Sequence, residues 1–134
     1  MFKRLAAVAA LALTLAGLTS PAFAGSPHFV GTPTATISGD TVTVSGKEAG
    51  LGNEAQIHVV VTADAACINP GGNPPQAGNK ESFNAAGDFP VQNGKADFSL
   101  TVTATFQPSC SPPMTVAWSN VVVTDAANGL SVTL

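Results

Sequence analysis

The chain lacks, or nearly lacks, the residue types on which several functions depend. Its 134 residues include no tyrosine, one tryptophan, two histidines and two cysteines. Carbohydrate-binding platforms and adhesive binding loops rely on tyrosine and tryptophan, so this composition disfavours both. Only His28 and His58 could act as a histidine general base, which leaves an enzyme few options.

Positive charge is also scarce. Beyond residue 24 the chain has Lys47, Lys80 and Lys95 but no arginine, against eight carboxylates, which gives a formal charge of −5. Binding to nucleic acid or to an anionic membrane surface requires clustered lysine and arginine, so we expect neither partner. Solubility alone accounts for a negative charge of this size.

The N-terminus has the pattern of a secretory signal peptide. Two basic residues precede the largely apolar stretch Leu5–Leu18, and Ala22 and Ala24 supply the small residues that a signal peptidase requires. The apolar stretch is shorter than the ~20 residues needed to span a bilayer. The pattern predicts cleavage between Ala24 and Gly25, an extracellular protein without a membrane anchor, and one domain over residues 25–134.

Cys67 and Cys110 allow a single intramolecular pairing. In an exported chain a disulfide is a better interpretation of two cysteines than a metal site or free thiols. Closing a loop of this length would stabilise the fold by roughly 4 kcal/mol in the chain-entropy model.

Alternation of apolar and polar residues dominates the mature chain, and no helical period is present. Seven short segments have strand character, and Gly-, Asn- or Pro-containing turns separate them. They are residues 34–38, 41–45, 55–67, 83–91, 98–106, 114–124 and 130–134. Residues 46–53 and 69–80 are predicted loops. The pattern predicts an all-β fold, an immunoglobulin-like antiparallel β-sandwich of about seven strands.

The cysteine positions agree with this topology. If successive strands run antiparallel, the end of the third strand and the connection between the fifth and sixth strands lie at the same end of the sandwich. Cys67 lies at the end of the third strand, and Cys110 lies in the connection between the fifth and sixth strands, so the two can meet.

The aromatic residues are predicted to be core residues rather than a stacking surface. Phe83, Phe89, Phe98 and Phe106 each occupy the alternating apolar face of a strand, and Trp118 shares its face with other apolar residues.

No catalytic, metal or cofactor site is predicted. His58 lies on the polar face of its strand, and Asp64 on the same face is about 20 Å away at the rise of a β-strand. The chain has no Gly-x-Ser-x-Gly motif, and its acids are scattered without the spacing of a calcium loop. Residues 125–129 have oxygens for one weak calcium contact, but Asp and Asn are also the usual residues of a turn. We expect a non-enzymatic protein.

The 12-residue segment from Asn69 to Lys80 is the best candidate for a contact surface. Long irregular segments in compact domains are often functional, and a disulfide would fix the base of this one. Its polar residues that could make contacts are Asn69, Asn73, Gln76, Asn79 and Lys80. Cell-wall material or a small molecule is a possible ligand. A simple connecting role is an equally good interpretation.

Residues 41–52, the strand that ends in Cys-Ile-Asn-Pro-Gly-Gly, and residues 73–80 and 118–121 together resemble a group of small secreted proteins from filamentous soil bacteria. The similarity covers nearly all of the mature chain. That group has no assigned activity, so the resemblance implies secretion but no residue roles.

A weaker similarity is to the neocarzinostatin-type apoproteins. It rests on Pro-Thr-Ala-Thr at residues 33–36, the Gly-Leu-Gly loop at residues 50–52, and residues 96–102. This resemblance implies a secreted seven-stranded sandwich that carries an enediyne chromophore in a cleft. Those proteins have two disulfides, whereas this chain can form one.

Together these observations predict a secreted, non-enzymatic binding or structural module of the extracellular or cell-wall environment. A small-ligand carrier of neocarzinostatin type is the alternative. A carrier should have a concave apolar site, whereas an enzyme should bring His58 within reach of an acid and a serine.

Overall fold

The computed structural model of the chain describes residues 25–71 and 80–134. The predicted signal peptide, residues 1–24, lies outside the described residues. So does the middle of the predicted contact loop, residues 72–79. The described chain forms an antiparallel β-sandwich, which confirms the predicted fold class.

Residues 25–71 and 80–134 contain eight strands, which are separated by turns and loops. They are β1 (His28–Phe29), β2 (Thr34–Ser38), β3 (Thr41–Ala49), β4 (Gln56–Ile68), β5 (Lys80–Pro90), β6 (Ala96–Thr103), β7 (Thr115–Asp125) and β8 (Leu130–Thr133). A short 3₁₀ helix, Ala126–Asn128, lies between β7 and β8.

The strands form two antiparallel sheets. In the first sheet β3 is central, with β6 along one side and both β1 and β2 along the other. The second sheet has the order β5-β4-β7-β8. The number of strands exceeds the predicted seven by one. The additional strand is the two-residue β1, which pairs with β3 on the same side as β2.

The apolar faces of the two sheets pack against each other, as the alternation predicts. β4 buries Ile57, Val59 and Val61 while its intervening residues face outwards. β3 contributes Val42 and Val44 from the opposite sheet, and each is fully buried. Burial of one such side chain stabilises the fold by about 1.5–3 kcal/mol, so this central layer is the main source of stability.

The aromatic residues are part of the core, as predicted. Phe98 and Phe106 are buried, whereas Phe83, Phe89 and Trp118 are partly buried and pack against the core. The Phe83 ring contacts Phe106 and Trp118 edge-on, with ring centroids 5.8 and 6.5 Å apart.

Several predicted boundaries were wrong. β3 continues through Ala49, although residues 46–53 were predicted to be a loop, because Gly46, Lys47 and Glu48 pair with β6. Lys80 is the first residue of β5 rather than the last of a loop. β6 ends at Thr103, so the buried Phe106 lies in an irregular segment and not in the strand.

The connections divide between the two ends of the sandwich. The disulfide pole comprises the β2–β3 turn at residues 39–40, the start of the β4–β5 connection and the β6–β7 connection at residues 104–114. The carboxyl pole comprises residues 50–55, 91–95 and 126–129. The cleft described below lies at the disulfide pole, and the buried carboxyl groups of Glu48 and Asp125 lie at the carboxyl pole.

Candidate functional site

A disulfide joins Cys67 to Cys110, and the described residues contain no free cysteine. The two Cα atoms are 5.7 Å apart. Cys67 lies at the end of β4, and Cys110 lies in the β6–β7 connection, as the antiparallel topology predicts. The bond therefore fixes this connection to the second sheet.

A cleft opens beside the disulfide, between the β2–β3 turn and the start of β7. It consists of two adjoining cavities of about 280 and 310 Å³. Both cavities are lined by Asp40, Cys110 and Val116. Ile37 and Met114 add apolar surface to the larger one.

Two hydrogen bonds hold the turn that forms one wall of the cleft. Gly39 adopts a left-handed conformation with φ of 59°, which suits the tight β2–β3 turn. Trp118 Nε1 donates to the Gly39 carbonyl oxygen at 3.2 Å, and so connects the second sheet to the first. The Ala104 backbone N–H donates to the Asp40 carbonyl oxygen at 2.8 Å.

Ile37 is the most exposed large apolar residue of the described chain, at 57 %. It pairs with Val42, whose side chain is completely buried between the sheets. Paired residues share a face of a sheet, so Ile37 lies on the core side and yet is exposed. At this cleft one apolar side chain on the core side of the first sheet therefore remains accessible to solvent.

The structure describes two of the five predicted loop residues. Asn69 is exposed directly after β4, and Lys80 is exposed at the start of β5, so both lie at the disulfide pole. Asn73, Gln76 and Asn79 lie outside the described residues. Their contact role stays a prediction.

His58 has an acidic partner that the sequence analysis missed. Its Nδ1 lies 2.8 Å from Asp88 Oδ1, and both side chains are more than half exposed. Asp88 lies opposite His58 on β5, so the pairing of strands, and not sequence spacing, brings the two together. Among the described residues, Asp88 is the one side chain that hydrogen-bonds to the His58 ring.

Asp64 joins three strands on the outer face of the second sheet. Its carboxylate accepts hydrogen bonds from the Ser82 hydroxyl on β5 and from Asn120 Nδ2 on β7, the latter at 2.9 Å. The bond from Ser82 lowers the pKa of Asp64 most, and the bond from Asn120 has the next largest effect. The nearby Lys80 charge lowers this pKa as well. The group thus stays ionised on an exposed surface and reinforces the sheet.

Two fully buried carboxyl groups lie at the carboxyl pole. Glu48 on β3 and Asp125 at the end of β7 are each 0 % exposed, and they come from opposite sheets. Asp125 accepts hydrogen bonds from the Asn128 backbone N–H and Nδ2, at 3.3 and 2.8 Å. Asn128 Nδ2 also donates to Glu54 Oε1 at 3.1 Å. Neither carboxylate oxygen of Glu48 receives a hydrogen bond from any described group.

Burial and, to a smaller extent, the neighbouring Asp125 and Glu54 side chains together raise the pKa of Glu48 to about 8. At neutral pH Glu48 is therefore protonated, beside the Asp125 side chain. Solvent reaches neither group.

The described residues contain no group of three histidine, cysteine or acidic side chains arranged to hold a metal ion. Within the same ranges, no helix is long and apolar enough to cross a membrane. The chain matches no model of a known protein family and no curated protein.

Proposed function

We propose that the chain is an exported, non-enzymatic binding module of the extracellular or cell-wall environment, and that the cleft at the disulfide pole is its contact surface. The observation that carries this proposal is the exposure of Ile37 on the core side of the first sheet. Exposure of a large apolar side chain to water is unfavourable, so a contact that covers Ile37 would be stabilising.

The cleft is also held in place before anything binds. The Cys67–Cys110 bond fixes one wall, and hydrogen bonds from Trp118 and Ala104 fix the β2–β3 turn. A prearranged site loses little conformational entropy on binding. This supports a binding role over a purely structural one.

A small-ligand carrier is the second candidate. The two cavities share three lining residues, and the volume of each is close to the lower limit of ~300 Å³ for ligand sites. A mixed lining of apolar side chains and one carboxylate, that of Asp40, is typical of such sites.

The non-enzymatic part of the proposal rests on the two acidic arrangements. The Glu48–Asp125 pair is closed to solvent, and the His58–Asp88 pair has no hydroxyl or thiol partner among the described residues. Neither pair has what a hydrolytic site requires, which is an accessible nucleophile oriented by a base.

Two matched variants test the cleft. Thr115 is exposed and lines the cleft, whereas Thr133 is also exposed but lies on β8, outside the cleft lining. We expect Thr115→Arg to fill the cleft entrance and Thr133→Arg to leave it open. Each is purified from the medium of the producing organism, weighed by native mass spectrometry, and tested for retention on insoluble cell-wall material from the same culture.

A retained mass, or retention on cell-wall material, that Thr115→Arg abolishes and Thr133→Arg preserves would support the proposal. The first readout identifies a small-ligand carrier and the second a contact with the wall. A wild-type protein without either property, or equal loss in both variants, would overturn it.

Replacing residues 71–78 with a short Gly-Ser bridge separates the loop from the cleft. If the loop makes contacts, this variant should keep its stability but lose the bound mass or the retention. Unchanged binding would make the segment a connector and leave the cleft as the contact surface.

A further inference from the structure

β2 is an unprotected edge of the first sheet. Its five residues, Thr-Ala-Thr-Ile-Ser, are all exposed, and none is charged. Among the described residues it pairs only with β3, so one side of its backbone lacks a strand partner. An uncharged edge rich in β-branched residues is a favourable template for another strand.

The other edges of the sandwich carry features that discourage strand pairing. β5 has charged residues along its length and ends at Pro90. β6 carries Asp97 and lies alongside β5. β1 and β8 have only two and four residues. Charge, proline and short length are the usual means by which proteins block edge pairing, and β2 has none of them.

We propose that β2 pairs antiparallel with β2 of a second copy of this chain, around a two-fold axis at Thr36. The two first sheets then form one continuous sheet across the dimer. This proposal goes beyond the proposed function and does not depend on a ligand in the cleft.

The side chains of β2 suit this register. Ala35 and Ile37 pair with Val44 and Val42 on β3, so both lie on the core side of the sheet. In the two-fold arrangement Ile37 of one copy lies opposite Ala35 of the other, and Thr36 lies opposite itself. Apolar residues thus meet on one face and threonines on the other, as the two-residue period of a strand requires.

The composition of β2 favours a second copy of this chain as the partner at the free edge. β2 brings no charge to the contact, so two identical strands do not repel each other locally, and a two-fold contact closes without further growth. The net charge of −5 on residues 25–134 opposes association at longer range, so added salt should strengthen it. A five-residue contact buries less surface than a standard stable interface, which predicts a weak dimer.

Sedimentation equilibrium over a wide concentration range, at low and high salt, tests the association. Ile37→Lys places a charge on the pairing edge, and Val30→Lys is its matched control, since Val30 is 48 % exposed but lies outside β2. We expect Ile37→Lys to weaken dimerisation roughly tenfold or more, and Val30→Lys to change it little. Circular dichroism and thermal melting establish that both variants fold.

Crosslinking tests the register without relying on those variants. Opposed residues have Cβ atoms about 5 Å apart, so Thr36→Cys should form an intermolecular disulfide under mild oxidation. In the same register the two residues at position 34 lie about 13 Å apart, so Thr34→Cys should not crosslink. A protein that is monomeric at all concentrations, equal effects of Ile37→Lys and Val30→Lys, or equal crosslinking at positions 34 and 36 would overturn the proposal.

Discussion

Glu48 couples the stability of the fold to pH. Its pKa is about 8 in the folded chain and has an ordinary value of 4.5. Between these two values the folded chain binds the proton and the unfolded chain does not. The stabilisation is therefore complete at acidic pH and is lost as the pH rises towards and through 8. Each pKa unit is worth about 1.4 kcal/mol, so the loss amounts to several kcal/mol.

Glu48→Gln should remove most of this pH dependence. An amide is nearly isosteric with a protonated carboxyl group, and it cannot ionise. We expect the variant to match the wild type near pH 5 and to have the larger free energy of unfolding at pH 9. Denaturant unfolding across this pH range measures the difference.

Glu81→Gln is the control, because Glu81 is an exposed carboxylate on β5. It removes the same charge but should leave the pH dependence intact. If wild-type stability were flat between pH 5 and 9, the raised pKa of Glu48 would be contradicted.

This pair shows what sequence reasoning misses at the residue scale. Glu48 lies in a polar stretch that resembles a loop, and Asp125 lies in an ordinary turn motif. They meet because β3 and β7 end at the same pole in opposite sheets. The distance between them along the chain gives no signal of that contact, and the same holds for His58 and Asp88.

At the scale of elements, a β-bulge shapes the contact between β4 and β7. Asn120 and Val121 together lie opposite Ala63, because the register shifts between Thr62 and Asp64. Asn120 adopts a left-handed conformation with φ of 49° and donates to Asp64. Asparagine tolerates this conformation better than most residues, which explains its place here.

Asn120→Ala should destabilise the protein more than Asn120→Gly. Both variants lose the hydrogen bond to Asp64, but only alanine adds the strain of the left-handed conformation, about 1 kcal/mol. Chemical denaturation of the three proteins at one pH measures the order. A glycine variant that is less stable than the alanine variant would mean that the backbone conformation contributes nothing.

Most of the strands could be predicted because their apolar alternation is local. The alternation predicts the buried face of β4 from Ile57 to Cys67. The end of β3 could not be predicted in this way, because residues 46–49 have no apolar alternation. Their strand conformation comes from hydrogen bonding to β6, which lies some fifty residues later in the sequence.

At the scale of the whole molecule, the disulfide should be a principal source of stability. It joins residues 43 positions apart. Chain entropy then assigns it roughly 4 kcal/mol, against a total of ~5–15 kcal/mol for a typical domain. The cysteine pairing and the sandwich class were both predictable from sequence, because antiparallel succession of strands determines which strand ends meet.

Reduction of the mature protein should therefore lower its free energy of unfolding by a few kcal/mol, measured by denaturant titration with and without reductant. The Cys67→Ala/Cys110→Ala double variant is the control, and reductant should leave it unchanged. An equally stable reduced protein would remove the disulfide from this account.

The proposal that the cleft at the disulfide pole is a contact surface is tested most directly by two-dimensional ¹H–¹⁵N NMR spectroscopy. The labelled mature protein is titrated with concentrated medium of the producing organism and with solubilised fragments of its cell wall. We expect shifts at the amides of Asp40, Cys110 and Val116, with little change at residues 91–95 of the opposite pole. Unchanged spectra, or shifts centred on residues 91–95, would contradict the claim.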